Sequence, residues 1–202
     1  RLGTTDADTT IEALRSIRTS PNGVFGMKLH YSHARRLGGI AGLRRLTREL
    51  RIVHIRRVDL LGQAISYARA MQTGVWISGQ PPTGEPHYDF GLIERMLQLL
   101  IRDEAEWQLL MAKSGFPSME VRFEEVVDDP VPVVSEVARF LDVDADVSSV
   151  AVQHPIAPQQ RDHADAWRER FTAEAGHSAM FTRLHGVANR IDRRVRSFQA
   201  RR

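Results

Sequence analysis

The chain contains no cysteine, which removes disulfides, thiolate metal ligands and cysteine nucleophiles together and leaves the redox compartment open. It has no apolar run near the roughly 18 residues that span a bilayer as a helix, and no signal peptide, so a cytoplasmic location is expected. A large excess of one charge is missing too. The 28 Lys+Arg stand against 25 Asp+Glu, a formal net charge of +3, so basic character lies in local clusters and no nucleic-acid partner is demanded. Internal repeats and low-complexity segments are absent. No initiator Met opens the chain, and Arg1 falls in what reads as a loop, so a fragment or a processed product is expected.

What is present is ordinary globular material: 202 residues, 42% hydrophobic and 26% charged, enough for one sizeable core. Residues 7–18 read as a helix capped by Thr9 or Thr10, with Ile11, Leu14 and Ile17 at helical spacing. A turn at Thr19 to Gly23 leads into Val24 to Leu29, a short apolar strand in which Gly26 allows close backbone approach. Residues 31–50 form a basic helical segment broken near Gly38 and Gly39, and Ile52 to Ile55 form the next strand. Phe90 to Lys113 make a long amphipathic helix ended by Gly115 and Pro117. Met119 to Phe123 alternate as a half-buried strand, and Asp129-Pro130 opens another helix as N-cap and first position. Strands alternating with helices over short loops predict an α/β fold with a mainly parallel sheet covered on both faces. The Pro/Gly-rich loop from Gly79 to Pro86 is the one long irregular insertion.

The segment 51–76, RIVHIRRVDLLGQAISYARAMQTGVW, is the most informative. Arg56 and Arg57 close a strand and Asp59 caps the helix that follows, so cationic side chains and helix amides face one space at the carboxyl end of a strand, where open α/β sheets bind anions. A guanidinium fork there suits a phosphate, although the same residue type also serves as a surface or salt-bridge arginine.

Residues 21–29 and 53–76, the helix containing Trp107, VRFEEVVDDP at 121–130, ARFLDV at 138–143 and DAWRERF at 165–171 resemble the bacterial sulfotransferase family typified by trehalose 2-sulfotransferase. The resemblance runs to about residue 172. It implies a P-loop-like three-layer α/β/α fold that binds 3′-phosphoadenosine 5′-phosphosulfate (PAPS) and transfers its sulfuryl group, without a metal, to a hydroxyl of a carbohydrate or glycolipid-precursor acceptor. It also implies a homodimer. By the resemblance Arg57 and Ser66 hold the donor's 3′-phosphate. Their spacing is nine positions against a commoner eight, which leaves Arg56 as an alternative to Arg57 and a plain exposed polar residue as the alternative for Ser66. Arg69, Gln72, Thr73 and Trp76 fall on the acceptor side, where an indole face and hydrogen-bonding groups suit a polyol. The family's donor-binding loop and general base would precede Arg1, so no catalytic residue is assigned and an N-terminally truncated domain is expected. Pro158 stands where the family has an arginine, with Arg161 as a substitute in another register.

Other features carry structural readings. His30 and His33 have an HxxH spacing without a third metal ligand. Asp103, Glu104 and Glu106 read as a solvated helix face, and Glu124 and Glu125 as structural. The expected division is a sulfotransferase-like domain over 1–175 and a basic helix or tail over 176–202, rich in arginine from Arg190 onward. Two further readings accompany the enzyme: a non-catalytic nucleotide-binding or interaction module of the same fold, and nucleic-acid binding through the arginine tail.

Overall fold

The computed structural model describes residues 7–47, 49–77, 79–144 and 161–176, without the side chains of residues 7, 8 and 161–163. The arginine tail and Pro158 lie outside them, as does the side chain of Arg161.

Helix α1 spans Ala7–Arg18 and is followed by the expected turn around Gly23 at φ 83°, in which the Ser20 N–H donates to the Val24 carbonyl at 2.9 Å and the Val24 N–H donates to the Ser20 hydroxyl at 3.2 Å. The expected strand over Val24 to Leu29 is not formed. The segment has no regular secondary structure and joins no sheet with the described residues, while Leu29 packs into a hydrophobic cluster. An apolar run supplies the side chains of a strand but not the partner that takes its hydrogen bonds. The basic segment 31–50 does break at its glycine pair, into α2 (Tyr31–Arg36) and α3 (Gly39–Leu46), with Gly38 at φ 93° and Gly39 at φ 61°.

Strand β1 (Ile52–Arg56) pairs in parallel with β2 (Ser118–Arg122), from Ile52 opposite Ser118 to Arg56 opposite Arg122. This is the sheet among the described residues: mixed α/β with a small parallel sheet. Among the described residues, coverage is incomplete on the face that carries Ile55, which is 61% exposed.

Between the strands lie α4 (Leu60–Thr73) and α5 (Phe90–Ser114). Asp59 caps α4 by accepting the Gly62 N–H at 2.9 Å, and Gly74 at φ 71° ends it. Asp89 caps α5 by accepting the Leu92 N–H at 2.9 Å, and Gly115 at φ 66° ends it as expected. After β2 a short helix absent from the sequence reading, α6 (Phe123–Asp128), precedes α7 (Pro130–Leu141). The Asp129-Pro130 start of α7 is as read, with Asp129 accepting the Val131 N–H at 3.2 Å. Helix α8 covers Arg161–Ala175.

Among the described residues two clusters form the core. Ala64, Ile65 and Ala68 of α4 meet Ile93 of α5 and Phe171 of α8, and the Phe90 ring stacks on Phe171 with centroids 4.7 Å apart. The alanines at i and i+4 let the helices approach closely, and complete burial of Ile65 and Ile93 contributes about 1.5–3 kcal/mol each. The second cluster joins Ala34 of α2 and Leu43 of α3 to Leu110 of α5, with Ile52 and Trp107 packed alongside. Thus α5 touches both clusters and links the β1 end to the helical layer.

Candidate functional site

The carboxyl end of β1, the 28–35 segment, α4, α5 and the turn at Val75-Trp76 enclose a cleft of about 840 Å³. Four cations border it, Lys28, Arg35, Arg57 and Arg102, against the carboxylates of Asp103 and Glu106. Aromatic wall is supplied by Tyr31, Tyr67 and Trp76, and Ser66 and Gln63 add hydroxyl and amide groups from α4.

The two strand-end arginines diverge. Arg56 turns to carboxylates, with its Nε 3.5 Å from Glu104 and an Nη 3.3 Å from Glu120, and it does not border the cleft. Arg57 does border it. Its guanidinium lies over the Phe123 ring, 4.1 Å from the centroid, and its Nε is buried without a hydrogen-bond partner among the described residues. Such a buried donor is costly until an acceptor arrives. Ser66 reaches the same cleft from α4, so the structure brings Arg57 and Ser66 together and leaves Arg56 out.

Of the four acceptor-side expectations, Trp76 borders the cleft. Its indole is 56% exposed and meets the Tyr67 ring edge-on at 5.5 Å. Gln72 instead exchanges two 3.0 Å bonds with the backbone of His87. Thr73 is buried; its hydroxyl donates to the Arg69 carbonyl at 2.9 Å and its own carbonyl accepts the Thr83 N–H at 2.8 Å. These two residues fasten the Pro/Gly-rich loop to the end of α4. Arg69 does not border the cleft, and its Nε is buried without a hydrogen-bond partner among the described residues.

The expected solvated face of α5 is corrected by the structure. Glu104 sits between His54 Nε2 at 3.3 Å and Arg56, with one fifth of its side chain exposed. Glu106 accepts a 2.9 Å bond from the Tyr31 hydroxyl, and that bond pushes the Tyr31 pKa up, with lesser help from desolvation. The reason is topological: this stretch of α5 passes beside β1 and α2, which helical periodicity alone does not reveal. His30 and His33 are also accounted for, since the His30 N–H donates to His33 Nδ1 at 3.3 Å at the start of α2. Among the described residues no group of three or more His, Asp or Glu is placed to hold a metal, and no helix is long and apolar enough to cross a membrane.

The turn after Arg57 is heavily anchored. Glu124 accepts the N–H groups of Val58 at 3.1 Å and Asp59 at 3.4 Å, and Asp59 accepts from Arg168 of α8 at 2.5 Å. Desolvation raises the Asp59 carboxyl, but the Arg168 and Gly62 donors and the charges of Arg168 and Arg57 together hold it below the usual carboxylate range. Sequence reasoning gave Glu124 a structural role without this partner. The signal was its place just past the end of a second parallel strand, where strand ends gather.

The sequence that forms this cleft has counterparts in known proteins. Residues 3–174 match the sequence profile of a family described as Stf0 sulphotransferase. The chain belongs to that family. It is 28% identical over 192 residues to trehalose 2-sulfotransferase of Mycobacterium tuberculosis (Erdman strain), an alignment covering 86% of this chain and 71% of the relative. It is 26% identical over 179 residues to the protein of the same name from Mycolicibacterium smegmatis, covering 80% of this chain and 66% of the relative. The Stf0 match takes in every element from α1 to nearly the end of α8, so the whole described cleft lies within the family's matched region.

Proposed function

We propose that the cleft binds PAPS, that Arg57 and Ser66 receive its 3′-phosphate, and that the reaction served is sulfuryl transfer to a hydroxyl of a carbohydrate or glycolipid-precursor acceptor. The observation that carries this reading is that Arg57, whose buried Nε has no hydrogen-bond partner among the described residues, borders the cleft together with Ser66 and three further cations. A doubly charged phosphate there would satisfy the donor and offset the clustered positive charge. In this reading the small parallel sheet is part of a P-loop-like three-layer α/β/α arrangement, with the donor at the carboxyl ends of the strands.

The chemistry is an in-line displacement. The acceptor oxygen forms a bond to sulfur, the bond from sulfur to the phosphate oxygen breaks with its electron pair staying on that oxygen, the hydroxyl proton passes to water, and adenosine 3′,5′-bisphosphate leaves. What this chain's residues contribute is position and charge: Arg57 and Ser66 fix the end of the donor remote from sulfur, and Lys28, Arg35 and Arg102 oppose its anionic groups. Trp76 and Tyr67 present aromatic faces suited to the apolar side of a sugar ring. That the relatives are named trehalose 2-sulfotransferases supports a trehalose-type acceptor. We also propose a homodimer. A sedimentation series that stays monomeric across a wide concentration range would count against it.

The test of the site is calorimetric titration with adenosine 3′,5′-bisphosphate and with AMP, on the chain and on Arg57→Ala. Binding that requires both the 3′-phosphate and Arg57, weakened about 30-fold or more when either is removed, is the expected result. Equal binding of the two nucleotides, or indifference to Arg57→Ala, would remove Arg57 from the site.

A further inference from the structure

Arg57 follows β1 in a short turn that brings this residue to the border of the cleft and delivers Asp59 to the cap of α4. The N–H groups of Val58 and Asp59 precede the helix and have no intrahelical acceptor there. One carboxylate takes both: Glu124 Oε1 lies 3.1 Å from the Val58 nitrogen and 3.4 Å from that of Asp59, with Oε2 3.3 Å from Val58. The residue before it, Phe123, places its ring against the Arg57 guanidinium.

These adjacent residues begin α6, and the sheet register explains why they are beside the turn. Arg56 stands opposite Arg122 in a parallel pair, so the next residue of each strand, Arg57 and Phe123, leaves the sheet on the same side. Burial pushes the Glu124 carboxyl up, but the N–H groups of Glu124, Val58 and Asp59 and the charge of Arg57 outweigh it and hold the group below its ordinary range.

We propose that Glu124 and Phe123 are positioning residues for Arg57, a two-residue clamp that sets the β1–α4 turn in the conformation presenting the guanidinium to an anionic ligand. This rests on the reading of Arg57 as a 3′-phosphate ligand and adds to it the part that orders the arginine before the ligand arrives. A long side chain gives up rotamer freedom on binding, and a side chain already stacked and carried on a fixed turn gives up less. Phe123 orients the guanidinium by its face and leaves the edge donors available, since cation–π contact consumes none of them. Glu124 fixes the backbone from which that side chain springs. Its carboxylate is spent on peptide donors and does not border the cleft, where it would repel the ligand.

The experiment titrates adenosine 3′,5′-bisphosphate and AMP into the wild-type chain and the variants Glu124→Ala, Glu124→Gln and Phe123→Leu. Glu124→Ala and Phe123→Leu are each expected to weaken the bisphosphate about tenfold and to leave AMP unchanged, because lost preorganisation acts only through the 3′-phosphate. Glu124→Gln retains a carbonyl oxygen for the Val58 N–H and is expected to stay within about threefold of wild type. Equal losses for both nucleotides in Glu124→Ala would place its effect on the fold at large and overturn the proposal. A second arm needs no ligand: ¹⁵N relaxation at Arg57 Nε and hydrogen exchange at the Val58 and Asp59 amides. Glu124→Ala is expected to loosen all three, and an Arg57 Nε as ordered as in wild type overturns the clamp. If the wild-type chain takes up no bisphosphate while Glu124→Ala still frees Arg57, the clamp stands and the donor reading alone falls.

Discussion

Asp59 and Arg168 are 109 residues apart in the chain and 2.5 Å apart in space. The contact joins the cap of α4 to the face of α8, so the turn carrying Arg57 is braced from two sides, by α8 through Asp59 and by α6 through Glu124.

Acid is expected to loosen this bracing. Asp59 and Glu124 both have folded-state pKa values below their ordinary 3.8 and 4.5. A depressed carboxyl stabilises the fold fully above its ordinary value, and that contribution is lost as pH falls through the folded value. Thermal unfolding followed from pH 7 to pH 2 should therefore show Tm falling below about pH 4.5, and Asp59→Asn with Glu124→Gln should flatten that limb. An unchanged acid limb in the double variant would mean that other carboxylates carry it.

The glycines of the chain should differ sharply in tolerance. A Cβ on Gly42 would fall 1.6 Å from the Leu37 carbonyl oxygen, a backbone atom with little freedom to move. Gly42→Ala is expected to cost about 3 kcal/mol, the upper end of ordinary overpacking. At Gly26 nothing lies within 4 Å, so Gly26→Ala should stay within about 0.5 kcal/mol of wild type. Urea unfolding of the two variants makes the comparison.

The tryptophans should separate stability from acceptor use. Trp107 packs between the rings of Tyr31 and His54 and against the Leu110 cluster, and its replacement by Ala is expected to cost about 3 kcal/mol. Trp76 is more than half exposed, so Trp76→Ala should leave the fold nearly as stable while raising the KM for a sugar acceptor. A large fall in Tm with no change in acceptor KM would assign Trp76 to packing alone.

Gln72→Ala removes both bonds to the His87 backbone, each contributing about 1 kcal/mol. The expected outcome is faster proteolytic nicking between Gly79 and Pro86 with unchanged binding of adenosine 3′,5′-bisphosphate. A loss of bisphosphate binding would give Gln72 a part at the donor end that its contacts do not suggest.

The helices were legible where a local device marks them. Asp59, Gly115 and the Asp129-Pro130 pair act through neighbours a few residues away, and each ends or begins its helix where its chemistry says. Pairing is not local, and that is where the reading from sequence stopped. Val24 to Leu29 have the composition of a strand without a partner among the described residues, and the role of Glu124 depends on a register between segments 66 residues apart. The same limit governed the cleft. Arg57 and Ser66 belong to one strand–helix unit and the family resemblance names them as a pair, whereas Lys28, Arg35 and Arg102 come from elements that only the fold assembles. Glu104 was read as solvated because its partners, His54 and Arg56, lie on another element.

Helix α4 separates Arg57 from Trp76 by a single rigid run of 14 residues, about 21 Å at 1.5 Å per residue. It therefore acts as a ruler with a phase as well as a length. Deleting one residue would shorten it by only about 1.5 Å but would rotate everything beyond the deletion by about 100°. Ser66 and Tyr67 would then no longer share a wall with both ends of the cleft. Loops around this site tolerate changes of length far better than α4 does, so the dimension least free to drift in this architecture is the interval from strand end to indole.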